Sequence, residues 1–284
     1  MPPIELPGSA AYIVKRLPFV GPIYKDAVTY RRLKAGVSQG GRNALLLEHG
    51  GVPIPPIRLR DMVRKGGILA EDFLIEGAQA CEAVLDFARE HGVSIEPSTS
   101  VYEFGVGCGR IARHLLVQRS CRFWGSDVDE ELISWCRQNL TLTDGEGGTP
   151  EFFLNAYQPP LGQADGSFDF IYSISVLTHM AADSQRAWLH ELHRALAPGG
   201  HLVLSILERT DSEAPAGVLV HERVDREFVR GWLGKGGAPA KYYTTYNTVA
   251  YMGDLFAEGL ELLGHRHNAV RNTQTLLMFR KRPE

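Results

Sequence analysis

The chain has 284 residues, 44% apolar and 22% charged, with a net charge of −3 and four cysteines. That length suits one large domain with an appendage and a sizeable core. It holds no stretch long enough for a transmembrane helix and no basic-then-apolar leader at the N-terminus, so a cytoplasmic protein without stable membrane insertion is expected. Cys81, Cys108, Cys121 and Cys136 form no C-x-x-C pair and are read as reduced thiols, with no metal site expected.

Residues 1–65 carry 11 Lys/Arg against 4 Asp/Glu, and the rest of the chain carries 19 against 29. A basic arm on an acidic body either meets an anionic partner or lies solvated or against its own chain. Eight prolines interrupt this arm, so long helices are excluded there. Tyr12–Tyr24 mixes aliphatics with basic residues but is too broken for a good membrane-surface helix. Tyr24–Lys34 reads as a short helix, and Asp72 to about His91 as a longer one with Phe73, Ala80, Val84, Leu85 and Ala88 on one face.

From Ser100 the pattern becomes strand, turn, helix, repeated. Strands are expected at 101–104, 122–125, 151–154, 168–174 and 201–207. Helices are expected at about 110–117, after Asp129, and around Trp188, Leu192, Ala195 and Leu196. Asp183 or Ser184 would open the last of these, and Pro198-Gly199-Gly200 would close it. "FDFIYSI" is apolar on both faces, as a central parallel strand should be. Leu260–His267 and Thr273–Arg280 are too close in sequence for a crossover helix and should pair antiparallel. The alternation argues for an α/β fold with a mostly parallel sheet.

The stretch "VYEFGVGCGR" at 101–110 spaces Glu103, Gly105, Gly107 and Gly109 as acidic-x-G-x-G-x-G. A glycine loop between strand and helix lets a ligand approach backbone at the carboxyl ends of the strands. A dinucleotide fingerprint would need glycine where Arg110 stands. Asp127, in "GSDVD" at the end of the next strand, can accept hydrogen bonds from both hydroxyls of a ribose. Helix capping suits Asp129 better than Asp127. Together these features point to a nucleoside-containing ligand.

The ordered series "VYEFGVGCGR", "FWGSDVD", "FFLNAYQPP", "GSFDFIYSISVLTHM" and "ELHRALAPGGHLVLSI" resembles the class I S-adenosylmethionine-dependent methyltransferases, in particular the bacterial "methyltransferase domain" type. The resemblance spans residues 100 to about 207. It implies a Rossmann-like seven-stranded sheet ending in an antiparallel hairpin, residues 98–284, with an insertion at 208–247. Residues 1–97 would form a partly helical extension, a possible lid or acceptor-site cover. It also implies S-adenosyl-L-methionine as cofactor. Glu103 and the Gly105–Gly109 loop would face its methionine and ribose, Asp127 would take the ribose, and Val128 would lie against the adenine. Asn155 stands where the family often has Asp, beside the adenine amino group; an amide oxygen accepts there as a carboxylate does. Ala156 would offer its N–H to the ring, and Ser173 its carbonyl to the cofactor's amino group.

Methyl transfer from a sulfonium needs mainly positioning. A carboxylate acceptor needs no base, whereas a hydroxyl usually does, and His179, just past the fourth strand, is the candidate. The alternative is a histidine that packs or caps the next helix. His190 and His193 read as solvated, and His114, His265 and His267 show no partner. No [DN]-P-P-[YF] motif is present, which argues against amino-group methylation on a planar base or amide. "KYYTTYNT" at 241–248 could line an acceptor pocket or form a surface loop. The resulting expectation is O-methylation of a small molecule, glycan or specialised metabolite. The alternatives are a nucleic-acid or protein methyltransferase, against which the acidic body counts, and a non-catalytic S-adenosylmethionine-binding protein. The oligomeric state is left open.

Overall fold

A computed structural model describes residues 51–64, 69–141, 148–208, 218–223, 242–255 and 259–283. The basic arm up to residue 50, including the helix expected at Tyr24–Lys34, lies outside them. The chain divides into two compact units, residues 1–75 and 76–284. Within the first, helix α1 spans Ile57–Val63. Helix α2, Ala70–Glu90, runs across the boundary, and Ala80, Val84, Leu85 and Ala88 on its expected apolar face are buried.

The second unit alternates as expected. It contains β1 (Ser100–Phe104), α3 (Ala112–Gln118), β2 (Arg122–Asp127), α4 (Glu130–Asn139), β3 (Glu151–Leu154) and β4 (Phe168–Ser173). These are followed by α5 (Ala182–Ala195), β5 (Leu196–Glu208), β6 (Val218–Arg223), β7 (Tyr242–Asn247), α6 (Val249–Leu255), β8 (Leu260–Val270) and β9 (Gln274–Lys281). β1 is buried at all five positions, as a central parallel strand covered on both faces is. β3, β2, β1, β4 and β5 lie side by side and parallel, and β8 and β9 close the far side of β5 as an antiparallel hairpin. These seven strands are the expected frame. β6 and β7 are two more, an antiparallel pair within 208–247, so among the described residues the sheet has nine strands.

Tyr102, Phe104, Phe168, Trp188, Leu192 and Leu277 belong to one buried cluster. Trp188 fixes α5 to the segment after β3, its indole Nε1 donating to the Tyr157 carbonyl at 2.9 Å. Glu191 adds a second tie there by accepting from the Leu161 N–H at 2.6 Å. Hydrogen bonds from Arg194 hold its carboxyl below the usual carboxylate range.

Two boundaries differ from expectation. α5 opens two or three residues early, with Ala181 rather than Asp183 or Ser184 as the cap, which makes no side-chain hydrogen bond. Asp183 lies inside its first turn, where a negative charge meets the positive end of the helix dipole. Pro198-Gly199-Gly200 does not follow the helix as a loop but lies within β5. The β4–β5 register jumps there, between Phe168↔Leu196 and Phe170↔His201, and Gly199 takes φ +76°. A bulge absorbs the residues that look like a helix stop. The carboxyl end of α5 is capped from a distance, since Lys281 Nζ donates to the carbonyls of His193 and Leu196 at 3.0 and 2.7 Å.

Candidate cofactor and acceptor site

The glycine loop hangs from the end of β2. The Gly105 and Val106 N–H groups donate to the Ser126 carbonyl at 2.9 and 2.8 Å. The Gly107 N–H donates to Asp127 Oδ2 at 2.9 Å. Cys136, on α4, donates its thiol to the Gly107 carbonyl at 3.3 Å. Gly105, Gly107 and Gly109 all have positive φ, a region glycine enters without penalty. A Cβ at Gly105 would stand 2.2 Å from Val176 Cγ2. Gly105→Ala therefore combines a left-handed alanine with overpacking, about 2–4 kcal/mol in all. In a unit of this size the midpoint of thermal unfolding should fall by about 10 °C; an unchanged midpoint in a calorimetric scan would contradict the packing described.

Asp127 is half-buried at the tip of β2. Its Oδ1 accepts from the Asp129 N–H at 3.0 Å while Oδ2 holds the loop. Burial pushes its pKa up to about 6, against these backbone hydrogen bonds. Asp129 caps α4, accepting from the N–H groups of Glu131 and Leu132, as its position suggested. Glu103, 2% exposed, lies directly across from Tyr172 in the β1–β4 register. The Tyr172 hydroxyl donates to Glu103 Oε2 at 2.8 Å. Burial raises the Glu103 pKa to about 8, opposed by the Tyr172 hydrogen bond and the Arg110 guanidinium.

Asn155 follows β3, and its N–H donates to the Asp127 carbonyl at 3.0 Å. Its Nδ2 donates to the Ala156 carbonyl at 2.7 Å, which leaves Oδ1 buried without a hydrogen-bond donor. A buried acceptor in that condition is costly unless a ligand supplies the donor, and an adenine amino group is such a donor. Val128 is half-exposed and Ala156 exposed. Ser173 is buried, with its hydroxyl donating to the Phe104 carbonyl at 3.0 Å, which ties β4 to β1 where the loop begins. These groups would suit a nucleoside-containing ligand such as S-adenosylmethionine, with the Asp127 carboxylate as an acceptor for hydroxyls and the buried Asn155 Oδ1 as an acceptor for an amine.

His179 closes the 3₁₀ turn Leu177–His179 after β4, is exposed, and places Nδ1 3.2 Å from the Tyr243 carbonyl. "KYYTTYNT" is therefore not a free loop. Its residues 242–247 form β7 and meet the very turn that carries His179. Several contributors escaped the sequence reading. Ser175 adopts φ +64°, with its N–H donating to Ser205 Oγ at 2.7 Å and its hydroxyl hydrogen-bonded to the Gln274 side chain. Nothing in a serine announces a left-handed turn. Tyr172 lies in the apolar run "FDFIYSI", and its register opposite Glu103 is what brings its hydroxyl to that carboxylate. His267 does have a partner, Glu208 Oε2 at 2.6 Å, and His265 lies 3.2 Å from His267. His193 is half-buried rather than solvated. Among the described residues no group of three or more His, Cys, Asp or Glu is arranged to hold a metal, and no helix is long and apolar enough to cross a membrane.

Comparison with known proteins agrees with this arrangement. Residues 101–200 match the family described as methyltransferase domain. The curated O-methyltransferase rstn1 of Aspergillus nomiae is 29% identical over 107 residues, 38% of this chain. The chain spans about half the length of that relative, 46%. Magnesium protoporphyrin IX methyltransferase of Synechocystis PCC 6803, solved with bound S-adenosylhomocysteine, superposes with a TM-score of 0.53 at 17% identity, covering 79% of this chain and 93% of its own. The [4+2]-cyclase SpnF superposes with a TM-score of 0.51 at 15% identity, covering 72% and 82%. The match at residues 101–200 is to a methyltransferase domain, and the chain shares its fold with solved methyltransferases, one of them holding S-adenosylhomocysteine.

Proposed function

We propose that the protein transfers a methyl group from S-adenosylmethionine to an oxygen of a small molecule, glycan or specialised metabolite in the cytoplasm. The observation that carries the reading is the juxtaposition of His179 with β7 at the carboxyl end of β4, one strand away from the glycine loop on β1. An acceptor held against that wall would lie beside the end of the sheet where the cofactor residues gather. The O-methyltransferase named among the relatives supports the choice of oxygen.

When bound, the sulfonium of the cofactor supplies an activated methyl. In this reading Glu103, the loop 105–109, Asp127, Val128, Asn155, Ala156 and Ser173 hold the cofactor. His179 removes the proton of a hydroxyl acceptor as its oxygen attacks. β7, within the insertion 208–247, contributes to the acceptor's surroundings.

Transfer of labelled methyl into a fractionated extract of the source organism tests this, with Asp127→Ala as the inactive control. The labelled fraction identifies the acceptor class. His179→Gln should lower transfer to a hydroxyl by about 10²–10⁴-fold and leave transfer to a carboxylate nearly unchanged, because a carboxylate has no proton to lose. A second reading, a nucleic-acid or protein acceptor, draws on the basic balance of residues 1–65 and predicts label in those fractions. The cyclase on the same fold keeps a third in view, cofactor binding without transfer, which predicts no labelled fraction despite tight binding.

A further inference from the structure

β7 is an addition to the seven-strand frame, and its position follows from edge counting. Leu207 of β5 pairs with Tyr246 of β7 and also with Gln274 of β9. A strand has two edges, and β9 occupies one of them from His201 to Leu207. β4 occupies the other only as far as Leu204. β7 therefore takes the edge that β4 vacates and continues the sheet over β4's carboxyl end, where the Leu177–His179 turn emerges.

Thr245 and Asn247, two apart in β7, point to one side as strand geometry requires, and both are fully buried. Thr245 Oγ1 donates to the Met180 carbonyl at 2.6 Å. Asn247 Nδ2 donates to Gln185 Oε1 at 3.0 Å. Gln185, also fully buried, donates from Nε2 to the Leu177 carbonyl at 2.7 Å. The carbonyls on both sides of Thr178–His179 are thus gripped, one directly from β7 and one through Gln185. Buried polar groups satisfied in this way specify one arrangement strongly, since breaking any link strands its partner. Beside them the Tyr243 carbonyl faces His179 Nδ1. A carbonyl only accepts, so Nδ1 must carry the hydrogen in that contact, and a neutral ring then keeps its lone pair on Nε2.

We propose that β7 is a positioning strand for His179: Thr245, Asn247 and Gln185 fix the turn, and the Tyr243 carbonyl selects the Nδ1–H tautomer so that Nε2 receives the acceptor's proton. The inference rests on the reading of His179 as the base, and it makes Thr245, Asn247 and Gln185 positioning residues.

The test reads the ring itself. Two-bond ¹H–¹⁵N spectra of the ¹⁵N-histidine-labelled full chain, with the resonance assigned by His179→Gln, report the tautomer of the neutral imidazole. The wild type should show Nδ1–H. Thr245→Val, which removes only the hydroxyl link, should convert that signal to a mixture of tautomers. Cofactor affinity should stay within about twofold, and turnover should fall about tenfold, the scale expected of a misplaced base. A merely structural contact would not move the tautomer. A wild-type Nε2–H or averaged ring overturns the proposal without any variant, and so does a Thr245→Val protein that keeps the pure Nδ1–H form. Failure of the underlying reading looks different: His179→Gln with undiminished transfer to a hydroxyl removes the base role, whereas a wrong tautomer in an active enzyme removes only the positioning.

Discussion

Asp127→Ala should weaken cofactor binding by about two to three orders of magnitude. The carboxylate occupies the one place where β2, the glycine loop and the start of α4 meet. Its two oxygens hold the N–H groups of Gly107 and Asp129 at 2.9 and 3.0 Å. Hydrogen bonds to a charged group contribute about 1.5–3 kcal/mol each, and each 1.4 kcal/mol is about tenfold in affinity. Alanine would free both donors, loosen the loop and remove the proposed ribose acceptor together. Asp127→Asn keeps the shape and one accepting oxygen, so about tenfold is expected of it. Calorimetric titration with S-adenosylhomocysteine measures both variants. An alanine variant within threefold of wild type would show that the ribose is held elsewhere.

Cofactor affinity should also climb with pH between about 6 and 8 and level off above. Glu103 is neutral in the free protein below a pKa of about 8, because burial disfavours its charge. A positively charged ligand beside it favours the ionised form, so binding at neutral pH expels a proton. The association constant then rises about tenfold per pH unit until Glu103 is already ionised. Asp127, at about 6, contributes a second proton and a steeper slope below that pH. Tyr172→Phe removes a hydrogen bond that favours the carboxylate and should move the plateau to higher pH. Glu103→Gln should flatten the slope between 6 and 8. Titrations across this range in two buffers of different ionisation enthalpy count the protons directly. A flat wild-type profile would mean that Glu103 stays protonated with the cofactor bound.

Much of the frame was legible because its signals are local. The strands from Val101, Arg122, Glu151 and Phe168 are short runs between turns, and a buried parallel strand needs little more. The terminal hairpin followed from the short link between its strands. The strand of "YYTTYN" was missed although its aromatic and β-branched residues suit one, because its partners, Val218–Arg223 and Leu207–Glu208, are fixed by tertiary pairing. For the same reason Gln185 and Asn247, 62 residues apart, gave no sign of bonding each other. Pro198-Gly199-Gly200 misled in the opposite direction, since a turn signature also serves a bulge inside a strand. In the candidate site the glycines and Asp127 stood out by spacing and chemistry, and Asn155 only through the family resemblance. Tyr172 and Ser175 act through register and backbone conformation, which no single residue type encodes.

The attachment of β7 to the central sheet is narrow, Leu207–Glu208 against Tyr246–Asn247. β1, β2, β3 and β4, at whose carboxyl ends the proposed cofactor residues lie, have no ladder with β6 or β7. The two halves of the chemistry are therefore mechanically separable. Under the proposed function, the pair β6–β7 would be a cassette that can be exchanged or redesigned to change which acceptor is welcomed while the proposed cofactor half stays untouched, provided the new segment still presents a hydroxyl to Met180, an amide to Gln185 and a backbone carbonyl to His179.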